Sequence, residues 1–252
     1  MKRLLYILLI PFILASCNED AGPEDCFKPA GKYTEKEINT GSFTEIIVGD
    51  RFVVEFRQDT VDKIIVKGGE NVIANVNVKV TDGKLTVKDN NVCNWTRDFS
   101  RKIKLTVHCS KLKKLTINDA CEITGSDTLR TPSMEINQNS TGTVNLTVII
   151  LSNILGESGQ MTVNHKSHGE VKLSGYAPIF VPVLFDAGKL DAANFTGDYI
   201  FVYHYGINDA HVKPYKVLYV YVGNTGNTYY YAQPFEQPLN VTQKGQGQVI
   251  FR

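Results

Sequence analysis

The chain has 252 residues, with 27 Lys plus Arg against 26 Asp plus Glu and a formal net charge of +1. So balanced a charge offers no strong field to recruit nucleic acid or an anionic lipid surface. Its five cysteines show no CxxC or CxxH spacing, which argues against a zinc site, and no other metal or cofactor is expected.

Lys2 and Arg3 precede an apolar run from Leu4 to Ala15 that is broken only by Pro11. A charged start and a short apolar core make a secretory signal, too short and wrongly flanked for a membrane span. The segment closes on Leu14-Ala15-Ser16-Cys17. These residues resemble the lipobox of bacterial lipoproteins, in which small side chains fit the signal peptidase and the cysteine thiol receives diacylglycerol. Residues 1–16 are therefore expected to be a cleaved lipoprotein signal, and Cys17 the lipidated residue. Each buried methylene contributes about 0.8 kcal/mol, so several acyl chains would hold the protein to a membrane effectively permanently.

Residues 17–42 begin with Asn18-Glu19-Asp20 and Glu24-Asp25, an acidic stretch poor in apolar side chains. It is expected to be a flexible tether. It is similar to the acidic export signal that sends some Bacteroidetes lipoproteins to the outer face of the outer membrane. The expected location is thus the cell envelope, as an outer-membrane lipoprotein, with surface display favoured by the tether. Without Lys2 and Arg3 the mature chain carries 25 cations against 26 acids. Four cysteines remain after Cys17: Cys26, Cys93, Cys109 and Cys121. In an oxidising compartment they allow up to two disulfides in three pairings. Cys26 with Cys93, pinning the start of the domain to a loop, is the preferred pair.

From Phe43 onward, short β-branched or aromatic runs alternate with Gly, Asn, Asp and Lys, and no long stretch has helical periodicity. The clear runs are Phe43–Val48, Arg51–Arg57, Lys63–Lys67, Val76–Thr81, Lys84–Lys88 and Lys102–Cys109, with Asp82-Gly83 reading as a tight hairpin turn. Residues 43–111 are expected to form a smaller β-rich N-terminal part.

Residues 112–252 read as repeats, each a strand, a polar kink and a second short strand. The kinks are Asn118-Asp119, Thr141-Gly142, Ser167-His168-Gly169, Asp186-Ala187-Gly188, Gly206 to Asp209, Gly223 to Gly226 and Gly245 to Gly247. A period of roughly twenty residues in an all-β chain predicts a solenoid, each rung burying its inner face on its neighbours. Superposing Gly188, Gly226 and Gly247 brings Pro182, Val220 and Val241 to one level beside Val183, Tyr221 and Thr242. Alternation then predicts the first set inward and the second outward. Gln243 breaks the pattern, at a level that elsewhere carries Leu184 or Val222.

The opening Phe43-Thr44-Glu45-Ile46-Ile47-Val48, the Asp82-Gly83-Lys84-Leu85-Thr86-Val87 hairpin, the Gly-containing kinks and the closing Gly245-Gln246-Gly247-Gln248-Val249-Ile250-Phe251 together resemble a bacterial family, the putative auto-transporter adhesin, head GIN domain. The resemblance implies a right-handed parallel β-helix or similar solenoid with a smaller N-terminal part, all-β, often on a lipoprotein. Where that family usually has Ser-Gly-Ala kinks, this chain has Asn118-Asp119-Ala120 and Asn208-Asp209-Ala210, which still permit tight turns. No binding residue is carried over from the family.

His165 and His168 have no carboxylate or cysteine placed to complete a tetrahedral shell, and His204 and His211 fall in a separate unit. Ser158-Gly159 and Ser174-Gly175 lack the second glycine of a nucleophile elbow. Asp59-Thr60-Val61 and Asp127-Thr128-Leu129 look like the short acceptor of Bacteroidetes O-glycosylation. The one enriched feature is aromatic: Tyr199, Phe201, Tyr203 and Tyr205 alternate along one strand, Tyr219 and Tyr221 along the next, and Tyr229 and Tyr231 after that. They are expected to form one outward ladder, with Tyr203, Tyr205, Tyr219 and Tyr221 as the candidate binding surface for a glycan or for an envelope or host protein. The leading expectation is a non-enzymatic adhesin or interaction module on the membrane through its lipid anchor. The alternatives are a carbohydrate-active β-helix enzyme and a purely structural envelope partner.

Overall fold

The computed structural model describes residues 28–91, 102–151, 159–237 and 239–252. The signal segment, Cys17, Cys26 and Cys93 lie outside the described residues. Those described form an all-β body in which 18 strands join one mixed, mostly parallel sheet.

The first strands are β1 (Tyr33–Asn39), β2 (Glu45–Val48), β3 (Val53–Gln58), β4 (Lys63–Gly69), β5 (Val76–Thr81), β6 (Lys84–Asp89) and β7 (Lys104–Cys109), with one helical turn, α1 (Glu70–Ile73), after β4. There follow β8 (Lys114–Ile117), β9 (Glu122–Thr131), β10 (Met134–Gln138), β11 (Thr143–Ile150) and β12 (Gln160–His165). The long strands β13 (Glu170–Leu184), β14 (Lys189–His204) and β15 (Ala210–Val222) precede the short β16 (Thr228–Tyr230), β17 (Asn240–Gln243) and β18 (Val249–Phe251). Asp82 and Gly83 join β5 to β6 with φ of 51° and 71°, the left-handed pair that a two-residue hairpin requires.

The pairings sort into two parallel ladders. The first runs β6, β2, β8, β10, β12, then residues 179–184 of β13, 199–204 of β14 and 217–222 of β15, and ends at β17. The second runs β7, β3, β9, β11, then residues 170–177, 189–197 and 210–214 of the same long strands, and continues through β16 to β18. From β8 onward the chain follows the first ladder, turns a corner at a polar kink, follows the second, and re-enters the first one level on.

Apolar side chains alternate inward along every rung, which is why short β-branched runs suffice. Ile46, Leu115, Ile136, Val163, Pro182 and Val220 share one buried level of the first ladder. Val241 holds the same level but is 37% exposed, because β17 is the last strand of its ladder among the described residues. Val54, Ile123, Val144, Val171, Leu190 and Ala210 make the matching buried level of the second ladder.

Two boundaries move. Residues 33–39, given above to the flexible tether, form β1, which pairs antiparallel with β4 from Tyr33↔Gly69 to Asn39↔Lys63. Its composition misled because an edge strand is held by backbone hydrogen bonds and here packs only Ile38 on the core. The division at residue 111 marks no break in packing either. β2 lies between β6 and β8, and β3 between β7 and β9, so both parts share one core. The antiparallel strands β1, β4 and β5 cover the start of the stack.

Candidate binding surface

The corner turns set which side chains reach the surface. Val48, Ile117, Gln138, His165, Leu184, His204, Val222 and Gln243 occupy one level just before the corner. The polar members bond to the turn that follows them. Gln138 Nε2 donates to the carbonyls of Ser140 and Gly142, both at 2.7 Å, and Gln243 Nε2 to those of Gly245 and Gly247 at 2.7 and 2.8 Å. His165 Nε2 donates to Gly169 O and His204 Nε2 to Asn208 O, each at 2.8 Å. Burial lowers the pKa of both histidines, keeping the rings neutral. His165 and His204 are therefore interior struts. Gln243, the exception to the apolar pattern, does the same work as Gln138.

Several corners end in glycine because the preceding rung leaves no room for a side chain. A Cβ on Gly169 would stand 2.2 Å from Gly142 O, and one on Gly188 2.5 Å from His165 Nδ1. With the corners this tight, the residues that alternate with the inner level are held on the outer face.

On that outer face the structure brings Tyr203, Tyr205, Tyr219 and Tyr221 together. Phe201 pairs with Tyr219 and Tyr203 with Tyr221 in register, between the buried Ile200, Val202 and His204. Ring centroids lie 6.2 Å apart for Tyr203 and Tyr219, and 5.2 Å apart for Tyr205 and Tyr221. Phe185 stacks on Tyr205 at 5.3 Å with planes 12° apart, and the Tyr219 hydroxyl donates to Thr242 Oγ1 at 3.0 Å. At the other end Lys216 lies 5.5 Å over the Tyr199 ring, 3.4 Å from Asp198 and 3.7 Å from Glu236. Tyr215 and Phe235, 53% and 62% exposed, pack edge-on at 5.0 Å beside it. The result is an aromatic strip of neighbouring ring clusters, part-buried yet open to solvent.

Tyr229 and Tyr231 do not belong to that strip. The chain turns a corner between β15 and β16, so Tyr229 falls on the second ladder opposite His211. His211 stacks on Tyr229 at 5.1 Å and its Nδ1 meets the Tyr231 hydroxyl at 2.8 Å. His211 and Tyr231 border a groove of about 750 Å³, lined also by Glu170, Asp191, Asn194 and Asp209. Its wall is a bulge: between Asp191↔His211 and Thr196↔Lys213, β14 advances five residues while β15 advances two. The extra residues push Asn194 outward. Sequence reading missed this groove because neither the bulge nor the corner before Tyr229 shows in simple alternation.

The remaining chemistry-bearing residues are dispersed. Cys109 and Cys121 are free and buried, their thiols directed to Arg57 O and Gly49 O. Burial foremost pushes Cys109 up to about 12 and Cys121 to about 11. Asp59 is held below the usual carboxylate range, chiefly by its hydrogen bond with His108. Among the described residues no group of three or more His, Cys, Asp or Glu comes together to hold a metal ion. No helix is long and apolar enough to cross a membrane among those residues. Thr60 is exposed in the β3–β4 turn, whereas Thr128 is half-buried within β9.

Known proteins give the fold a context. A "putative adhesin" from Bacteroides fragilis matches with a TM-score of 0.76 and 19% identity, over 89% of this chain and 99% of that one. A "putative lipid binding protein" from Parabacteroides distasonis matches at 0.61 and 16% identity, over 88% and 97%. A "putative adhesin" from Parabacteroides merdae matches at 0.57 and 16%, over 89% and 98%. Among curated proteins there is no match. At these identities the likeness shows shared architecture. The family profile described as "Putative auto-transporter adhesin, head GIN domain" matches residues 42–234, most of the chain, and to that family this protein belongs.

Proposed function

We propose that the chain is a non-enzymatic cell-envelope lipoprotein, anchored through Cys17, that holds a glycan or protein partner on the outer face of a right-handed β-solenoid. The observation that carries this reading is the aromatic strip of β14 and β15. Tyr203, Tyr219 and Tyr221 are half-buried by their neighbours, and Tyr205 remains 38% exposed. Rings packed this way are already ordered, so they give broad amphipathic contact at low entropic cost. Tyrosine hydroxyls along the strip suit sugar or protein better than an acyl chain. The coil-on-coil pairing supports the solenoid, and the adhesin descriptions of related structures support the role.

The test is binding of the full-length protein, purified from membranes in detergent, to immobilised host and bacterial glycans and extracellular-matrix proteins. Binding lost in Tyr203→Ala/Tyr221→Ala is the expected result; binding unchanged in that variant removes the strip. Protease shaving of intact cells tests display, and an inaccessible protein ends the adhesin reading. A carbohydrate-active enzyme is the second reading, favoured by Glu170, Asp191 and Asp209 lining one groove. Sugar hydrolysis needs two carboxylates at a set separation. Turnover in a screen of polyuronides and host glycans would establish it in place of simple binding.

A further inference from the structure

We infer that the groove beside His211 is a binding site for one or two sugar units, separate from the aromatic strip. Its volume, about 750 Å³, falls in the range of small-molecule sites, roughly 300–1,000 Å³. Its composition narrows the ligand. Glu170, Asp191 and Asp209 outnumber the single Lys189 on its lining, so the groove disfavours a bare anion. No three potential metal ligands converge among the described residues, which disfavours a divalent cation. The groove's floor and walls are too polar for an acyl chain. A neutral, hydroxyl-rich ring remains, with hydroxyls for carboxylate and amide oxygens and C–H faces for aromatic rings.

The groove offers both kinds of contact in one place. Asp191 is 3.6 Å from Lys172 and accepts a 3.3 Å hydrogen bond from the Ala193 amide, so its carboxylate is oriented while keeping acceptor capacity. Asp209 is oriented likewise, by the Asn227 amide at 3.3 Å. Asn194, exposed on the bulge, supplies both a donor and an acceptor. Tyr231 is 37% exposed and is fixed by its bond to His211, giving a rigid platform for a sugar face. Ile207, 55% exposed in the corner turn, adds an apolar side chain to the lining. The extra residues of β14 are what open the space, and such bulges recur beside binding sites because they re-aim side chains.

Saturation-transfer NMR on the full-length protein in detergent tests the inference, using N-acetylglucosamine, galactose, fucose and mannose as methyl glycosides. At least one should give saturable transfer, strongest at ring C–H protons. That signal should weaken at least tenfold in affinity in Tyr231→Ala and in Asp191→Asn, and stay within twofold of the parent in Tyr203→Ala/Tyr221→Ala. Asp191→Asn preserves shape, and an unchanged melting temperature separates lost binding from lost fold. Absence of saturation by all four sugars overturns the site, as does undiminished binding in either groove variant. Loss confined to the strip variant also overturns it, while leaving the proposed function standing. Saturable binding of tetralysine that is lost in Asp191→Asn, with no sugar bound, assigns the groove to a basic peptide instead.

Discussion

The imidazole of His204 donates its Nε2 proton to the carbonyl of Asn208 across 2.8 Å, while its Nδ1 lies 3.1 Å from the Thr228 hydroxyl. With Nε2 committed as donor, Nδ1 accepts from Thr228, so the neutral ring satisfies both neighbours and a second proton would break the set. Thr228 belongs to the second ladder and His204 to the first, so this one ring ties both sides of the coil to its corner.

A pH dependence follows. Burial lowers the pKa of His165 and His204 from the ordinary 6.5. Below that value the unfolded chain takes up protons that the folded chain refuses. The stability held in full above about pH 6.5 therefore falls as pH drops, by up to about 1.4 kcal/mol per pH unit for each ring, until the folded pKa is reached. Carboxylates add their own slope, so the measurement is comparative. His165→Gln/His204→Gln keeps the donor that Gln138 and Gln243 already use at this level. Between about pH 7.5 and pH 5 its melting temperature should fall less than the parent's; an equal fall would show that the histidines do not control acid stability.

The corners predict where a methyl group is intolerable. A Cβ on Gly247 would approach Gly226 O to 2.0 Å, and one on Gly169 would approach Gly142 O to 2.2 Å. Backbone cannot yield as a side-chain tip can, so Gly169→Ala should cost about 3 kcal/mol, at the upper end of overpacking. Gly83→Ala meets nothing within 4 Å but keeps a φ of 71°, and should cost about 1 kcal/mol. Urea denaturation of the two variants measures the contrast.

Legibility in the sequence followed locality. The Asp82-Gly83 hairpin and the strand runs were readable because turn chemistry and period-two alternation act within a few residues. The level of Pro182, Val220 and Val241 was readable because the corner glycines supply a ruler. Gln138, His165 and His204 were not recognisable as interior residues, since their partners are turn carbonyls and a polar side chain gives no sign of being satisfied. Simple alternation puts Tyr229 and Tyr231 on the strip because it runs straight through a corner that carries the chain onto the second ladder. The groove depended on a bulge whose size is defined only against the neighbouring strand.

The cysteines divide by accessibility. Cys109 and Cys121 sit fully inside, with thiols raised to about 12 and about 11, so neither should react with a maleimide at neutral pH until the protein unfolds. With Cys17 lipidated as proposed, taking both out of the pairing leaves Cys26 and Cys93. Described residues near each lead to α1: Pro29 O accepts from Asn71 Nδ2, and Asn91 Nδ2 donates to Val72 O. Non-reducing peptide mapping should recover a Cys26–Cys93 link. Free thiols on both would refute the pairing.

The aromatic strip admits a test that separates support from recognition. Tyr205 and Tyr221 meet at 5.2 Å and 46°, and Phe185 covers the opposite side of Tyr205. A double-mutant cycle on Tyr205→Ala and Tyr221→Ala should give a coupling of about 0.5–1.5 kcal/mol, the worth of a packed ring pair. Phenylalanine at both positions retains the ring contact and should restore most of that stability. Binding should respond differently, because a hydroxyl adds little to the ring contact but can hydrogen-bond a partner. If Tyr205→Phe/Tyr221→Phe is as stable as the parent yet binds the captured glycan or protein at least fivefold more weakly, the strip recognises through its hydroxyls. Parent-like affinity in the phenylalanine pair, with loss only in the alanine pair, would assign recognition to the ring faces. Full affinity in the alanine pair would leave these two rings a purely structural role.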